Sequence, residues 1–117
     1  MAGVTIVPPH HYRAVVERVI DADTLKVSVD LGFSIWTKQP LRVRGVNAPE
    51  LRTAQGKAAR AAAARLFELR PGVTVQTYKD QQSFARYVAD VWLDDGQLFA
   101  AWLIEHGYGV AVLEGVR

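Results

Sequence analysis

The sequence contains no cysteine, and this absence excludes both a disulfide framework and a metal site built on thiolates. It also has no apolar run long enough to cross a membrane, so no membrane partner is expected. Positive charge is in small excess, because the formal net charge is only +2. Phosphate chemistry in such a chain depends on individually placed charges rather than on bulk electrostatic attraction.

The amino terminus has neither a basic start nor a long apolar segment, which predicts a cytoplasmic protein without a signal peptide. Residues 1–11 include two adjacent prolines and show no periodicity, so they are predicted to form an arm. Residues 12–117 are predicted to form one domain. The whole chain of 117 residues has the length of a single domain, and it can bury a core without disulfide bonds.

Alternation of apolar and polar residues predicts most of the strands. Strands are expected at residues 12–20, 25–31, 41–46, 73–79 and 86–93, with a short last strand at 109–113. Residues 33–39 fit either a strand or a loop. The pattern at 25–31 places four aliphatic side chains, from Leu25 to Leu31, on one buried face.

Two segments predict helices, and their positions indicate the fold class. The alanine-rich run at 55–69 has high helix propensity, and residues 98–106 precede Gly107, which suits a left-handed cap. Three strands, a helix, two strands and a helix disfavour a doubly wound sheet. The order predicts a mainly β protein with helices (α+β), an OB-fold five-stranded barrel with two attached helices. Trp36 and Trp102 are expected in its core.

Asp21 and Asp23 form an acidic turn after the first predicted strand. Two carboxylates at a strand end can hold a hard cation, which prefers oxygen ligands. Aspartate is also a routine turn former. The pair alone therefore leaves a metal site and a purely structural turn both open.

The segment from Arg42 to Glu50 combines three further chemical groups. Arg42 offers a planar fork that fits two phosphate oxygens, Asn47 offers a neutral oxygen ligand, and Glu50 can accept a proton from water. The structural alternative is that Arg42 and Glu50 are solvated surface charges.

Four short motifs together resemble the staphylococcal nuclease family from residue 12 to residue 113. They are Ile20–Thr24, Leu41–Glu50, Arg86–Ala89 and Leu103–Tyr108, with the long predicted helix after the second. The resemblance implies an OB-type barrel and a calcium-dependent nuclease. Its substrate is expected to be DNA, with RNA as a second candidate, and its products carry a 5′-hydroxyl and a 3′-phosphate.

The resemblance also assigns the expected metal ligands. Asp23 matches a direct calcium ligand and Asp21 a supporting carboxylate, while Ala48 matches a position that offers only its backbone carbonyl. Asn47 stands where the family has a second acidic ligand. The loss of one negative charge predicts weaker calcium binding or a different metal preference.

The expected catalytic and substrate contacts follow from the same resemblance. Arg42 and Arg86 match two arginines that grip the reacting phosphate, and Glu50 matches the carboxylate that positions or deprotonates the attacking water. Ser83 and Phe84 replace a lysine and a tyrosine of the substrate-binding region. Phe84 is therefore a candidate substrate contact, and substrate binding at this position is expected to differ from that of the family.

The carboxyl end departs from the family too. Leu113 stands where the family has a nucleotide-contacting tyrosine. The chain ends at Arg117 without the family's C-terminal helix, and this leaves an oligomer open as a source of stability.

Three functions compete at this stage. The first is an active metal-dependent nuclease. The second is an OB-fold module that binds nucleic acid after its catalysis has decayed, which Asn47 favours. The third is a structural or protein-binding OB domain, since one fold hosts many functions.

Overall fold

A computed structural model of the chain describes residues 9–79 and 86–112. Five of its strands close into a barrel in the order β1-β2-β3-β6-β5, and β4 pairs with β7 in a separate two-stranded sheet. The predicted OB-type barrel with two helices is therefore confirmed. In chain order the elements are β1 (His11–Asp21), β2 (Thr24–Asp30), β3 (Trp36–Val43), β4 (Val46–Asn47), α1 (Ala54–Leu69), β5 (Gly72–Lys79), β6 (Tyr87–Trp92), α2 (Phe99–Glu105) and β7 (Val110–Ala111).

Aliphatic side chains of the strands fill the barrel, as the alternating pattern predicted for β2. Leu25, Val27 and Val29 are buried, but Leu31 is 44% exposed. The prediction for Leu31 was wrong because β2 ends at Asp30 and the chain turns through Gly32, whose φ is +80°. Trp36 was also wrongly placed in the core.

Trp36 is 54% exposed because it begins β3 directly after the turn of the β2–β3 hairpin, opposite Asp30. The ambiguous segment 33–39 is therefore a turn that leads into a strand. Trp102, in contrast, packs against the core as expected.

The strand predicted from Leu41 to Val46 is two strands separated by a turn. Strand β3 ends at Val43 and β4 begins at Val46. Gly45 between them has a φ of +85°, a conformation that a residue with a Cβ adopts only at a cost. The alternation signal does not show this turn, because Val43 and Val46 are both apolar and both buried.

Helix α1 covers one side of the barrel with small residues. Its buried positions are Gly56, Ala59, Ala63 and Phe67, at the spacing of one helix face. Helix α2 buries Phe99 and Leu103, and Gly107 after it has the predicted left-handed conformation, with a φ of +75°. Within the described residues no helix is long and apolar enough to span a membrane.

Candidate functional site

The β1–β2 turn lies against the end of β3. Asp21 pairs with Thr24, and Thr24 in turn pairs with Arg42 on β3. The Val43 N–H then donates to the Asp23 carbonyl at 2.8 Å. Pairing of the first three strands therefore brings the acidic turn beside Arg42, which stands 19 positions after Asp23.

Arg42 is the buried cation at this end of the barrel, with only 8% of its surface exposed. Its Nη1 donates to the carbonyls of Val43 at 2.7 Å and Val46 at 2.8 Å. Its Nη2 donates to Asn47 Oδ1 and lies 3.4 Å from Asp23 Oδ2. A buried guanidinium needs such partners, so Arg42 holds β3, the turn after it and β4 together.

Asp23 ties the acidic turn to the loop after β4. Its Oδ2 accepts the Ala48 N–H at 2.9 Å, and its Oδ1 accepts the Thr24 hydroxyl at 3.3 Å. Contacts of this kind place Asp23, Arg42, Asn47 and Ala48 in one connected group. The structure thus brings four of the predicted site residues together.

Asp21 and Asp23 have opposite pKa shifts. Burial raises the pKa of Asp21 to about 6, and the neighbouring Asp23 carboxylate adds to the rise. Burial acts on Asp23 in the same direction, but hydrogen bonds from Asp21 and the Ala48 N–H, with the Arg42 charge, lower the pKa of Asp23 below its ordinary value. Asp21 is accordingly the member of the pair that takes up a proton first as the pH falls.

Glu50 lies next to this group in the chain, but its carboxylate faces solvent. The side chain is 67% exposed and accepts the Arg52 Nε–H at 2.7 Å. Its backbone is better fixed than its side chain. The Thr53 hydroxyl, which caps α1, donates to the Glu50 carbonyl at 2.6 Å and accepts the Gly56 N–H at 3.0 Å.

Gly56 is a site-positioning residue that the sequence analysis did not identify. A Cβ at this position would lie 1.9 Å from the Glu50 carbonyl oxygen, so only glycine lets α1 approach the Glu50 backbone so closely. Two signals point to it: a glycine inside an otherwise helical run, which often marks a packing requirement, and a threonine three residues earlier, a preferred N-cap.

Arg86 immediately precedes β6 and is half-buried. Val88, two residues further on, is the register partner of Arg42 in the parallel β3–β6 pair. The backbone of Arg86 therefore lies near the strand that carries Arg42. Ser83, Phe84 and Leu113, the other predicted substrate positions, lie outside the described residues.

The acidic turn offers some of the oxygen ligands that a hard cation needs. Asp21 Oδ1 is buried and has no hydrogen-bond partner among the described residues, and a bound cation would satisfy such an oxygen. Within residues 9–79 and 86–112, however, no three acidic or histidine side chains form a ready-made metal group. A cation here would draw on the Asp21 and Asp23 carboxylates, with amide and carbonyl oxygens from Asn47 and Ala48.

A family model described as staphylococcal nuclease homologue matches residues 40–115, which is more than half of the chain. The chain belongs to the staphylococcal nuclease homologue family. The expected family is thereby confirmed. No curated protein matches the chain.

Membership of the staphylococcal nuclease homologue family supports a nuclease-like or nucleic-acid-binding role. The matched residues include Arg42, Glu50 and Arg86, but the match begins after Asp21 and Asp23. Strand pairing in the structure is what places the acidic turn beside the matched region.

Replacement of Gly56 by alanine tests the close approach of α1 to Glu50. Helix propensity alone would make Gly56→Ala stabilising by roughly 1 kcal/mol. The clash with the Glu50 carbonyl reverses the sign, and we expect the variant to lose about 1–3 kcal/mol of unfolding free energy in denaturant titrations. Ala58→Gly on the exposed face of the same helix measures the propensity contribution alone. A Gly56→Ala protein more stable than wild type would refute the close approach.

Replacement of Asp21 by asparagine tests the raised pKa. An acid whose pKa is raised in the folded state contributes stability below its ordinary pKa of 3.8, and this contribution is lost as the pH rises through about 6. Asparagine stays neutral and can still donate to Asp23. The unfolding free energy is measured with chelator for Asp21→Asn and for wild type at pH 4 and at pH 7.5. The difference, variant minus wild type, is expected to be more favourable at pH 7.5 than at pH 4 by on the order of 1 kcal/mol, after allowance for solvent screening. The same offset at both pH values would exclude the shift.

Proposed function

We propose that this chain is a metal-dependent nuclease that hydrolyses phosphodiester bonds of DNA, and of RNA as a second substrate, with calcium as the metal. The observation that carries the proposal is the connected group of Asp23, Arg42, Asn47 and Ala48 at one end of the barrel. The proposal is supported because this group supplies the carboxylate, guanidinium and amide groups that phosphodiester hydrolysis uses, in a chain that belongs to a nuclease family.

Arg42 and Arg86 are the proposed phosphate contacts. Negative charge gathers on the nonbridging oxygens of a phosphodiester under attack, and cationic groups placed beforehand stabilise it. The Nη2 of Arg42 already faces two oxygens, Asn47 Oδ1 and Asp23 Oδ2. A phosphate oxygen that takes over one of these places gains a charge-assisted hydrogen bond without movement of β3.

Glu50 is the proposed group that orients or deprotonates the attacking water. Its exposure gives water access, and the Glu50 backbone is anchored through Thr53 and Gly56. The carboxylate must exchange Arg52 for water in order to act. Such an exchange is inexpensive, because an exposed ion pair contributes about 1 kcal/mol or less.

Calcium would be held by Asp21, Asp23, Asn47 and the Ala48 carbonyl. When bound, the ion adds positive charge beside the phosphate and lowers the pKa of coordinated water. Asp21 must be ionised to bind the cation, so binding is expected to weaken as the pH falls through about 6.

The test of the proposed function is cleavage of single-stranded DNA with calcium, with chelator, and with Glu50→Gln beside wild type. We expect cleavage to require the metal and to fall by about 10²–10⁴ in Glu50→Gln, which is the size of effect that loss of a general base produces. Glu105→Gln is the matched control, because that side chain lies on α2 and contacts Gln97. Equal rates in Glu50→Gln and wild type would rule out the role of Glu50.

The second candidate is a module that binds nucleic acid without cutting it. The engagement of Arg42 by Asn47 and by two backbone carbonyls favours it, since a guanidinium used for structure is less available to substrate. DNA binding without cleavage in any divalent metal would select this candidate.

Replacement of Asn47 by aspartate tests the metal site separately from catalysis. The change restores a negative charge beside Asp23 while keeping the size of the side chain. We expect calcium to bind about tenfold more tightly by calorimetry, because the affinity of oxygen-ligand sites rises with ligand charge. Unchanged affinity would show that Asn47 is not a ligand.

A further inference from the structure

A groove runs between β1 and α1, on the side of the barrel where β1 has no partner strand. Pairing of β1 with β5 ends at Val15 opposite Gly72, and the Val16 N–H then donates to the Pro71 carbonyl at 2.9 Å. Beyond this point α1 covers the edge of β1. The Arg60 Nε donates across the groove to the Val19 carbonyl at 3.3 Å.

The groove has an apolar floor and a basic rim. It encloses about 520 Å³. Apolar side chains that include Val16, Val19 and Phe67 form the floor, and the cations of the rim are Arg18, Lys57 and Arg60.

These three cations are available to a ligand. Across residues 9–79 and 86–112, neither Arg18 nor Lys57 makes an ion pair, and Arg60 uses only its Nε. Of the two acids in the groove, Glu17 accepts the Ser28 hydroxyl. Glu68 lies about 16 Å along α1 from Lys57 at 1.5 Å per residue, so positive charge is concentrated at the other end.

The basic end of the groove is lined by residues that neighbour the proposed nuclease site along the chain. Leu51, which lines the groove, follows Glu50 directly. Val19, to which Arg60 is bonded, stands two residues before Asp21 on β1. A chain-like ligand that leaves the site between Glu50 and Asp21 therefore enters the groove at its cationic end.

We propose that this groove binds the backbone of a single-stranded nucleic acid beyond the phosphate that is cut, with Arg18, Lys57 and Arg60 as contacts to its phosphates. The inference rests on the nucleic-acid role proposed above. Grooves that follow a single strand combine cations for the phosphates with apolar surface for sugars and bases, and this groove has both. Its small size limits it to a few nucleotides on one side of the site.

The test compares two pairs of charge-removing substitutions that are matched element by element. The first double variant, Arg18→Ala with Lys57→Ala, removes one groove cation from β1 and one from α1 and is called the groove pair. Arg13→Ala with Arg65→Ala removes one cation from each of the same elements outside the groove, at positions that are likewise exposed. Binding to thymidine oligonucleotides of two and twelve residues is followed by fluorescence anisotropy in chelator, and melting temperatures verify that each protein is folded.

For the twelve-residue strand we expect the groove pair to weaken binding by about tenfold or more at 50 mM salt. The slope of log K against log salt should fall by about 1.4, since each lost phosphate contact contributes about 0.7 for single strands. The dinucleotide should bind the groove pair as it binds wild type. The Arg13/Arg65 pair should stay within about twofold for both ligands, because its charges are screened from the strand.

Equal losses in the two pairs, or no loss in the groove pair, would overturn the groove assignment, as would a wild type that binds neither oligonucleotide. The cleavage assay separates this result from the proposed nuclease. If wild type cuts DNA while the groove pair binds the strand normally, the groove proposal is wrong and the proposed nuclease activity stands. If binding depends on the groove but no DNA is cut, the groove proposal stands and the proposed nuclease activity is wrong.

Discussion

The buried guanidinium of Arg42 is the interaction on which the candidate site depends. Its acceptors come from three places in the chain: the β1–β2 turn, the end of β3, and the two residues of β4. A cation in such a position costs several kcal/mol of desolvation unless it is fully paired. The turn that carries Asp23 and the short strand that carries Asn47 are therefore held in place by the same charge that is proposed to meet the substrate.

In this arrangement the charges of the site are largely balanced by one another before substrate binds. Arg42 neutralises Asp23, while burial, together with the neighbouring Asp23 carboxylate, raises the pKa of Asp21 to about 6. In the proposed function, a phosphate would replace an acceptor of Arg42, and a cation would compensate the charge of the buried Asp21 carboxylate. Each partner relieves the charge that the other leaves unpaired, so their binding is expected to be mutually favourable.

The fold and the site differ in how far the sequence determines them. Alternation along β2 and the alanine-rich α1 predicted the barrel and its helices, because burial of one face leaves a periodic pattern. The pattern could not separate Arg42 from Arg44, which are two residues apart. Arg42 is buried in the site, whereas the side chain of Arg44 is 39% exposed and pairs with Asp90 at 3.3 Å. Arg44 already lies in the turn after β3, which depends on the positive φ of Gly45.

Errors and omissions at single residues have the same origin. Trp36 is apolar and lies in a segment that fits either a strand or a loop. Its exposure depends on where the hairpin turns, and the positive φ angles of Phe33 and Ser34 in this turn cannot be read from residue type. Gly56 has the converse problem. Its role lies in a contact with the Glu50 carbonyl. A glycine within a helical run indicates a packing requirement, but the helical pattern does not identify the loop that the helix contacts.

Helix α1 connects the two halves of the proposed chemistry. At its amino end, Thr53 and Gly56 fix the backbone of Glu50. One turn later, Arg60 is bonded to β1 two residues before Asp21. A shift of α1 therefore moves the proposed base relative to the acidic turn and opens or closes the groove at the same time. Because its buried face is made of glycine and alanine up to Phe67, the helix sits close to the barrel, and there is little side-chain volume that could absorb such a shift.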